Sequence, residues 1–489
     1  MPWLHGRIYT MHLQKFSHLL MLCQHCLAVL AFAACAGEKA DPASPAVHDG
    51  LTYELTVTTS LPHDSRGPAA GEDGDGRETG WTRESEVTDV TLLFYRGAEG
   101  IGSADATVIE HALYCSELTK STDANGRITY TTKVQQTDEK FERGTWHMVV
   151  LANMGNQTAW QGRTLGELRQ ATTTTLYAQT SAADPSTASR FVMTSSNDVE
   201  LFLTGAYTES APARFEAEVS RLAARIDFSP GKTSGGEGLQ TAPLQIALNG
   251  DASTTVTLNA YYKYDVQSAV GSSAGQSSGD VFYLTHVTPF NLLGSGEYLL
   301  RRVNHNPSDP KSCTYLGEET ADANTGQATN YVVDPWTAAK TQASGLPDGI
   351  SYAIPYTSLA SADVAQSHAV RSVETGNTDG TYSYYTLAYT AENTLLPQSP
   401  LSTYATGILL SGYYGQRKAD GTYEYYHKTY TYYIRHADPD DSADDGLPMK
   451  HAIVRNNIYR LYINSFTQLN VSVIEVHKWK VIRVPEILM

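Results

Sequence analysis

The sequence predicts a mainly β protein built from two tandem β domains, and three observations support this prediction. The chain has 489 residues, enough for more than one hydrophobic core. It contains 31 tyrosines, and aromatic and β-branched side chains fit the pleated surface of a sheet. A glycine-punctuated segment, SPGKTSGGEGLQ at 229–240, separates two groups of strand-like segments and indicates a linker.

The composition fits a folded protein and argues against strongly anionic partners. Hydrophobic residues make up 41% of the chain and charged residues 18%. The formal net charge is -17, and lysines and arginines form no cluster. Because phosphate binding needs a basic surface, the sequence predicts no nucleic-acid partner and no adhesion to an anionic membrane surface.

The first 35 residues resemble the signal of an exported lipoprotein. The apolar run from Leu19 to Cys35 is too short to span a bilayer permanently and ends in small residues. Small residues before a cysteine resemble a bacterial lipobox, so we expect Cys35 to be acylated and the chain to be cut before it. Cleavage by an ordinary signal peptidase after Ala34 is the alternative. Residues 36–50, rich in Ala, Pro and Asp, indicate a tether.

The predicted first domain covers residues 51–228. Apolar and polar residues alternate over 51–60, which predicts a half-buried strand. The run GTWHMVVLANMG at 144–155 predicts a strand buried on both faces. A short helix is predicted at Thr164–Ala171, and further strands are predicted near 87–94, 191–202 and 215–228.

The predicted second domain covers residues 241–489. Aromatic-rich strands are predicted at Tyr404–Tyr414 and Tyr423–His436. The chain then ends in an alternating apolar segment at 471–489. Such a strand would promote aggregation if it were left unpaired.

Known patterns of catalysis and metal binding do not fit this chain. The segment Gly271–Gly275 matches a nucleophile-elbow pattern, but it lies in a Ser/Gly-rich stretch and not between a strand and a helix. The acidic run at 438–445 lacks the terminal glutamate of a calcium loop. Cys115 and Cys313 lie far apart and imply no disulfide framework. We therefore predict no enzyme, no cofactor and no metal. Separately, Asp441–Ala443 resembles a short O-glycosylation signal of secreted Bacteroidetes proteins.

Taken in order, several segments resemble the fimbrillins of Bacteroidales, the lipoprotein subunits of cell-surface fimbriae, and are closest to the minor-type shaft fimbrillins. The resemblance covers most of the chain after Cys35. The segments that carry it are the lipobox, the strand–loop–strand at 51–96, VVLANMGN at 149–156, VSRLAARIDF at 219–228, YVVDPWTAAK at 331–340, HAIVRNNIYRLYINSF at 451–466 and the closing strand with Trp479.

This resemblance implies two tandem β-sandwich domains of transthyretin-like topology, with short helices in the loops, and assembly by strand exchange. A lipidated precursor reaches the outer membrane, an arginine-specific protease cuts the loop after the first strand, and a neighbour's strand fills the groove that is left. The implied partners are other copies of the chain or related fimbrial subunits and host or bacterial surface receptors. The implied location is the cell surface.

The loop after the first strand holds the candidate cleavage sites Arg66, Arg77 and Arg83. Acidic and glycine-rich loops favour the extended backbone that proteases require. Arg66 is the first candidate because it follows the strand at 51–60 most closely, and Arg83 is the second because cleavage there would remove the whole loop. The alternative is a solvated hairpin loop whose arginines are incidental.

The segment 471–489 is the candidate donor strand. The residues expected to insert into a neighbour are Val481, Ile482, Val484, Ile487 and Leu488. The alternative is that this strand completes its own domain. Two other functions stay open: a tip or anchor subunit of the same fimbriae, and a surface lipoprotein that binds glycans through the aromatic strand at 423–434.

Overall fold

A computed structural model describes most of the chain after residue 49. The described residues are 50–59, 63–64, 80–122, 128–181, 184–204, 207–231, 238–268, 277–294, 296–304, 313–317, 330–341, 346, 348–359, 368–378, 382–436, 449–467 and 471–473. Strands dominate this part of the chain, so the prediction of a mainly β fold is confirmed.

Thirteen strands lie in the first half of the described chain. They are β1 (Leu51–Thr59), β2 (His63–Asp64), β3 (Val90–Tyr95), β4 (Ile109–Cys115), β5 (Thr119–Thr122), β6 (Ile128–Thr131), β7 (Gln135–Thr137), β8 (Gly144–Ala152), β9 (Thr172–Thr173), β10 (Met193–Ser195), β11 (Val199–Leu203), β12 (Ala213–Arg221) and β13 (Ala224–Ser229).

Fifteen strands follow in the second half of the described chain. They are β14 (Leu244–Ala247), β15 (Thr255–Leu258), β16 (Tyr262–Gln267), β17 (Ser277–Phe290), β18 (Leu292–Leu293), β19 (Glu297–Tyr298), β20 (Arg302–Asn304), β21 (Cys313–Tyr315), β22 (Tyr331–Val332), β23 (Tyr352–Ala353), β24 (Tyr385–Thr390), β25 (Gly407–Arg417), β26 (Tyr423–Tyr433), β27 (Asn457–Thr467) and β28 (Val471–Val473).

Helices in the described residues are short. Helix α1 is Leu165–Gln170, which confirms the helix predicted at Thr164–Ala171. Thr164 caps it by accepting a hydrogen bond from the Glu167 backbone N–H. Helix α2 is Leu401–Tyr404. Single 3-10 turns lie at Thr82–Ser85, Gly100–Gly102, Thr158–Trp160, Pro185–Thr187, Thr337–Ala339 and Tyr356–Ser358. No helix in the described residues is long and apolar enough to cross a bilayer.

The first large sheet has the strand order β4-β3-β8-β10-β12-β1-β6-β5, with β11 paired to β8 and β7 paired to β1. Its core includes Leu55 and Val57 of β1, Phe94 of β3, Trp146 of β8 and Phe215 of β12. From Trp146 to Ala152 every residue of β8 is buried, which confirms the prediction of a strand buried on both faces. A second apolar cluster, with Leu93 and Val149, covers the other face.

The second large sheet has the order β24-β13-β27-β16-β17-β25-β26, with β2 and β28 both paired to β27. Its core includes Ile226 of β13, Phe282 of β17 and Leu461 of β27. Strands β25 and β26 pair in antiparallel register along their whole length, from Gly407↔Tyr433 to Arg417↔Tyr423. The two aromatic strands predicted from the sequence are therefore confirmed.

Strand β13 lies in a different sheet from the one that the sequence suggests. The predicted first domain extends to residue 228, but β13 pairs with β24 and β27 of the second sheet. The chain therefore changes sheets between Arg221 and Ala224. Long-range pairing decides sheet membership, and the local alternation over 215–228 carries no information about it. The domain limits themselves stay a prediction.

Candidate functional site

Strand β1 is an interior strand of the first sheet. On one side it pairs in parallel with β12, from Tyr53↔Ala213 to Thr59↔Val219. On the other side it pairs in antiparallel register with β6, at Thr56↔Thr131, and with β7, at Tyr53↔Gln135. Both edges of β1 are therefore hydrogen-bonded, and a sheet without β1 would have two unpaired edges.

One face of β1 forms part of the first core. Leu51, Tyr53, Leu55 and Val57 are buried, whereas the alternate residues are partly exposed. The Tyr53 ring stacks on Phe215 of β12, with ring centroids 5.4 Å apart and planes at 26°. The predicted half-buried alternating strand is confirmed, and its buried face is continuous from residue 51 to residue 59.

Polar contacts fix the register of β1. The Leu55 N–H donates to Oγ1 of Thr132 at 3.0 Å, and the Thr59 hydroxyl donates to the carbonyl oxygen of Ile128 at 3.3 Å. The Tyr53 hydroxyl lies 3.2 Å from Sγ of Cys115. Cys115 is a free cysteine, and burial raises the pKa of its thiol. Access to this thiol is therefore linked to the presence of β1.

The chain beyond β1 first contacts the second sheet and then re-enters the described structure near Trp81. Strand β2 pairs in parallel with β27 at His63↔Asn457 and Asp64↔Ile458. After the undescribed residues 65–79, the 3-10 turn Thr82–Ser85 begins, and the Trp81 N–H donates to Oε2 of Glu84 at 2.8 Å. This turn lies beside both large sheets.

A buried charge cluster holds this turn, and we call it the Glu84 anchor; its members are Glu84, Ser85, Arg221, Arg225 and Tyr389. Nη1 of Arg225 donates to both carboxylate oxygens of Glu84 at 2.9 Å. The Tyr389 hydroxyl, from β24, donates to the same carboxylate. Burial opposes ionisation of Glu84, but Arg225 and Arg221 lower the pKa of its carboxyl below the ordinary value.

Arg221 connects the anchor to the chain that leads into β27. Its Nε donates to the carbonyl oxygen of Glu84 at 2.7 Å, and its Nη2 donates to Oγ of Ser85 at 2.5 Å. Its Nη1 donates to Oδ1 of Asn456 at 2.9 Å. Burial lowers the pKa of Arg221 to about 10, so the guanidinium stays charged at neutral pH.

Arg225 is held by a second carboxylate. Its Nη2 lies 2.9 Å from Oδ2 of Asp227, two residues along β13. Burial opposes its charge, yet Asp227 and Glu84 raise the pKa of Arg225 well above the ordinary value. The Glu84 anchor is thus an ionised network that joins the turn after β1 to β12, β13 and β24.

The candidate cleavage residues lie in different settings. Arg83 lies inside the 3-10 turn, partly buried, with its guanidinium 4.9 Å from the Trp81 ring centroid. The peptide bond after Arg83 joins it to the buried Glu84, so cleavage of that bond would require this turn to open. Arg66, Arg77 and the lipidation residue Cys35 lie outside the described residues, and all four residues stay predictions.

The candidate donor residues Val481, Ile482, Val484, Ile487 and Leu488 also lie outside the described residues. The described beginning of that segment, β28, pairs in antiparallel register with β27 at Ile463↔Val473 and Phe466↔Val471. Residues 471–473 are therefore part of this chain's own second sheet. Any donated segment would begin after Val473.

Metal-binding and catalytic patterns gain no support where the structure describes the chain. No group of three or more His, Cys, Asp or Glu side chains there could hold a metal ion. The segments Gly271–Gly275 and Asp441–Ala443, and the acidic run 438–445, lie outside the described residues. Cys115 and Cys313 form no disulfide bond.

The aromatic strand β26 ends the order of the second sheet, and most of its side chains are only partly buried. Tyr423 and Tyr425 stack with ring centroids 5.9 Å apart. Tyr426 stacks on the buried Tyr414 at 5.2 Å. Tyr423 and Tyr425 therefore form a partly exposed pair on one face of β26, whereas Tyr426 packs on the opposite face. The exposed pair is the surface that the glycan-binding alternative requires.

Two of the solved structures similar to this chain are described as fimbrial proteins. One is the tip fimbrial protein Mfa3 of Porphyromonas gingivalis, truncated at its C-terminus, at 12% identity, with 88% of this chain and 100% of that chain covered and a TM-score of 0.37. Another is a fimbrial assembly protein of Parabacteroides distasonis, at 11% identity, 87% and 95% coverage and a TM-score of 0.34. No protein-family model matches the chain, and no curated protein matches it significantly. Similarity at this level does not establish what this chain does.

Sequence reasoning missed the Glu84 anchor. The signal available was small: Arg221, Arg225 and Asp227 interrupt the apolar run VSRLAARIDF, and charged residues inside such a run are buried only when they are paired. Their partner Glu84 lies more than a hundred positions earlier, so no local pattern could have identified it.

Proposed function

We propose that this chain is a structural subunit of cell-surface fimbriae that assembles by exchange of its first strand. The precursor is exported as a lipoprotein through Cys35, the segment between β1 and the Glu84 anchor is cut after an arginine, and β1 leaves. A strand from residues 481–488 of a neighbouring copy or related subunit takes its place. The observation that carries this proposal is the interior position of β1, with both edges paired and one face in the core.

The energetics of β1 favour replacement over an empty groove. Burial of a large apolar side chain stabilises a fold by ~1.5–3 kcal/mol, so four of them contribute on the order of 6–12 kcal/mol. This range is comparable with the whole stability of a domain, about 5–15 kcal/mol. A groove without β1 also leaves unpaired backbone groups on β12 and β6, and an inserted strand restores both the burial and the hydrogen bonds.

The Glu84 anchor supports the same proposal. A strand can leave without unfolding the rest of the domain only if the chain beyond the cut is held independently. Glu84 and Ser85 are held by Arg221 and Arg225, none of which belongs to β1. Cleavage between β1 and Trp81 would therefore free β1 and leave the turn at Thr82–Ser85 in place.

The N-terminal residue of subunits in purified fimbriae tests the cleavage step. We expect assembled subunits to begin after Arg66 or Arg77, and Arg66→Gln together with Arg77→Gln to prevent assembly. Arg143→Gln, which changes an exposed arginine just before β8, is the matched control and should leave assembly intact. Assembled subunits that still carry the acylated Cys35 and β1 would contradict the proposal for a shaft subunit and would favour an anchor.

Removal of residues 480–489 tests the donor step. We expect the shortened chain to fold and be exported but to form no polymer when it is expressed alone. Ladders of unchanged length on a denaturing gel would rule out this segment as the donor.

A glycan-binding surface is the second candidate function, and the partly exposed pair Tyr423 and Tyr425 on β26 favours it. Aromatic rings offer flat surfaces on which sugar rings can stack. If this function is correct, replacement of Tyr423 and Tyr425 by alanine should abolish binding to a glycan array, while assembly should be unchanged. The same replacements should not affect glycan capture if these rings only cover the sheet edge.

A further inference from the structure

A fully buried lysine lies far in sequence from the Glu84 anchor and has three oxygen atoms within hydrogen-bond distance. Lys340 follows the 3-10 turn Thr337–Ala339, and its side chain is 0% exposed. Its Nζ lies 2.5 Å from Oδ2 of Asp334, 2.7 Å from Oδ1 of Asn393 and 3.1 Å from the carbonyl oxygen of Thr394. An amine is thus held directly against a side-chain amide and a carboxylate.

The amide of Asn393 is fixed in one orientation. Its Nδ2 donates to the carbonyl oxygen of Tyr404 at 2.8 Å and to Oγ1 of Thr406 at 2.9 Å. Because a carbonyl oxygen can only accept, the Nδ2 side of the amide must face Tyr404, and the Oδ1 side must face Lys340. The Tyr352 hydroxyl lies 3.3 Å from the same Oδ1 and 3.2 Å from the carbonyl oxygen of Tyr404, so its one proton is shared between the two acceptors.

Asp334 is fixed equally well. Its Oδ1 accepts from the Trp336 N–H at 2.7 Å, and its Oδ2 accepts from the Thr394 N–H at 2.6 Å. The neighbouring carboxylates of Glu297 and Glu392 are held by Arg455 instead. Among the described residues, Asp334 is therefore the carboxylate that contacts Nζ.

We propose that Lys340 and Asn393 are the site of an intramolecular isopeptide bond, formed with Asp334 as the proton carrier. Three features of the site suit this reaction: the amine contacts the carbonyl group, a hydroxyl lies within hydrogen-bond distance of that group, and the Lys340 side chain is buried from water. Burial lowers the pKa of the Lys340 amine, although Asp334 opposes this shift, and a lower pKa favours the neutral, nucleophilic form.

The reaction balances without an added reagent. Asp334 first takes one proton from the Lys340 ammonium, which frees the lone pair of Nζ. This pair attacks Cγ of Asn393, and the carbonyl π pair moves to Oδ1. As Cγ becomes tetrahedral, Nδ2 must turn from Tyr404 towards Asp334, which passes its proton to Nδ2 and takes a second proton from Nζ. The Cγ–Nδ2 bond then breaks as the carbonyl re-forms, which releases one molecule of ammonia and leaves Asp334 protonated, so that the product site carries no charge.

The product removes a costly buried charge. An ammonium group without water is tolerated only when it is well paired, and the amide product is neutral. The bond would also connect the chain before β23 to the chain after β24, which would restrict the unfolded state.

Peptide mass spectrometry of the folded, full chain after denaturation and digestion with trypsin tests this proposal. Lys340 is the single Lys or Arg within 312–370, and 372–416 contains none, so trypsin would give 312–371, uncut at an acylated Lys340, joined to 372–417. We expect this joined species with a mass lower by one ammonia than the sum of the two fragments, and with fragment ions that place the link at Lys340 and Asn393. Separate fragments cut at Lys340, or a link to Asp334 with loss of water, would overturn the proposal.

Variants separate the bond from a simple ion pair. Lys340→Arg keeps the positive charge and Asn393→Ala removes the acceptor, so neither should give the joined species. Asp334→Asn keeps the shape of the side chain but should lose the joined species as well. Lys418→Arg, in a partly exposed ion pair with Glu424, is the matched control and should keep the full yield. If a variant does not fold, the wild-type digest alone still decides the question.

Discussion

Glu84 shows how one residue can depend on contacts that are distant in sequence. The side chain is 2% exposed, and its carboxylate contacts Arg225 and Tyr389 while its backbone contacts Arg221. A buried carboxylate of this kind is stable only while its partners are present. The segment that contains it, WTRESE, has no apolar pattern that would mark it as buried.

Glu84→Gln should lower the free energy of unfolding at neutral pH by about 3–5 kcal/mol, because it leaves Arg221 without a buried countercharge and Arg225 with Asp227 alone. The matched control is Glu110→Gln in the partly exposed pair with Arg96, which should cost at most about 1 kcal/mol. Urea unfolding at pH 7 measures both values. Equal effects of the two substitutions would contradict the assignment of Glu84 as a structural ion.

The effect of Glu84→Gln on the free energy of unfolding should depend on pH, because the pKa of Glu84 is depressed in the folded chain. A carboxyl whose pKa is lower in the folded state contributes stability above its unfolded pKa, and this contribution is lost as the pH falls through the folded pKa. The difference in unfolding free energy between wild type and Glu84→Gln should therefore be largest above the ordinary value of 4.5 and decrease at lower pH. A difference that is constant from pH 7 to pH 3 would rule out a charge effect.

At the scale of the elements, removal of strand β1 would affect both the first core and the pairing of its neighbouring strands. It supplies buried residues to the first core and pairs on both edges, and its Tyr53 contacts the Cys115 thiol of β4. Loss of β1 is therefore expected to expose the Cys115 thiol, and the reactivity of this thiol can be measured.

Cys115 should react with a maleimide after cleavage and loss of β1 but not in the intact chain, because it is buried while β1 is present. Cys313 is partly exposed and should react in both states, which makes it an internal control. Peptide mapping identifies the labelled thiol. A synthetic LTYELTVTT peptide should restore protection, and the same peptide with Leu55→Asp should not. Protection of Cys115 in the absence of any bound strand would show that β1 does not cover it.

Strand β25 contains a glycine, Gly412, that has no space for a larger side chain. A Cβ added to Gly412 would lie 2.0 Å from the carbonyl oxygen of Tyr283 and 3.0 Å from Cζ of Phe282. Gly412→Ala should therefore destabilise the fold by about 1–3 kcal/mol or more, because a backbone oxygen cannot move aside cheaply.

Gly238→Ala is the control for this substitution, since no atom lies within 4 Å of the added Cβ. Its effect on the free energy of unfolding should stay within about 0.5 kcal/mol. Thermal denaturation measures both variants. Equal melting temperatures would contradict the close packing of β17 against β25.

At the scale of the whole molecule, the two cores are joined by residues that cross between them. Tyr389 belongs to β24 of the second sheet, yet its ring packs in the first core, 4.8 Å from Phe191 and 5.5 Å from Tyr177. Its hydroxyl also completes the Glu84 anchor. Cores that share side chains in this way are expected to unfold together.

Tyr389→Ala should split thermal unfolding into two transitions, because it removes both the ring from the first core and the hydroxyl from the anchor. Tyr382→Ala is the control: Tyr382 stacks on Tyr462 at 3.9 Å outside the first core and should lower the melting temperature without splitting the transition. Differential scanning calorimetry distinguishes the two results. A single symmetric transition in Tyr389→Ala would contradict coupling through this residue.

The sequence by itself determined several of the strands and their buried faces. The alternation of Leu51, Tyr53, Leu55 and Val57, the apolar run of β8 and the aromatic strands β25 and β26 are local patterns, and local patterns follow from side-chain period and burial. The short helix α1 was equally readable, because Leu165 and Leu168 lie three positions apart, the spacing of one helix face.

Tertiary structure alone decided which sheet each strand joins and which buried charges meet. Strand β13 begins only three residues after the end of β12 but belongs to the second sheet, and Glu84 meets Arg225 across 141 positions. Lys340 reaches Asn393 across 53 positions in the same way. These contacts depend on strand pairing between distant segments, which no local period encodes, so the anchor and the lysine site become visible only when the chain is folded.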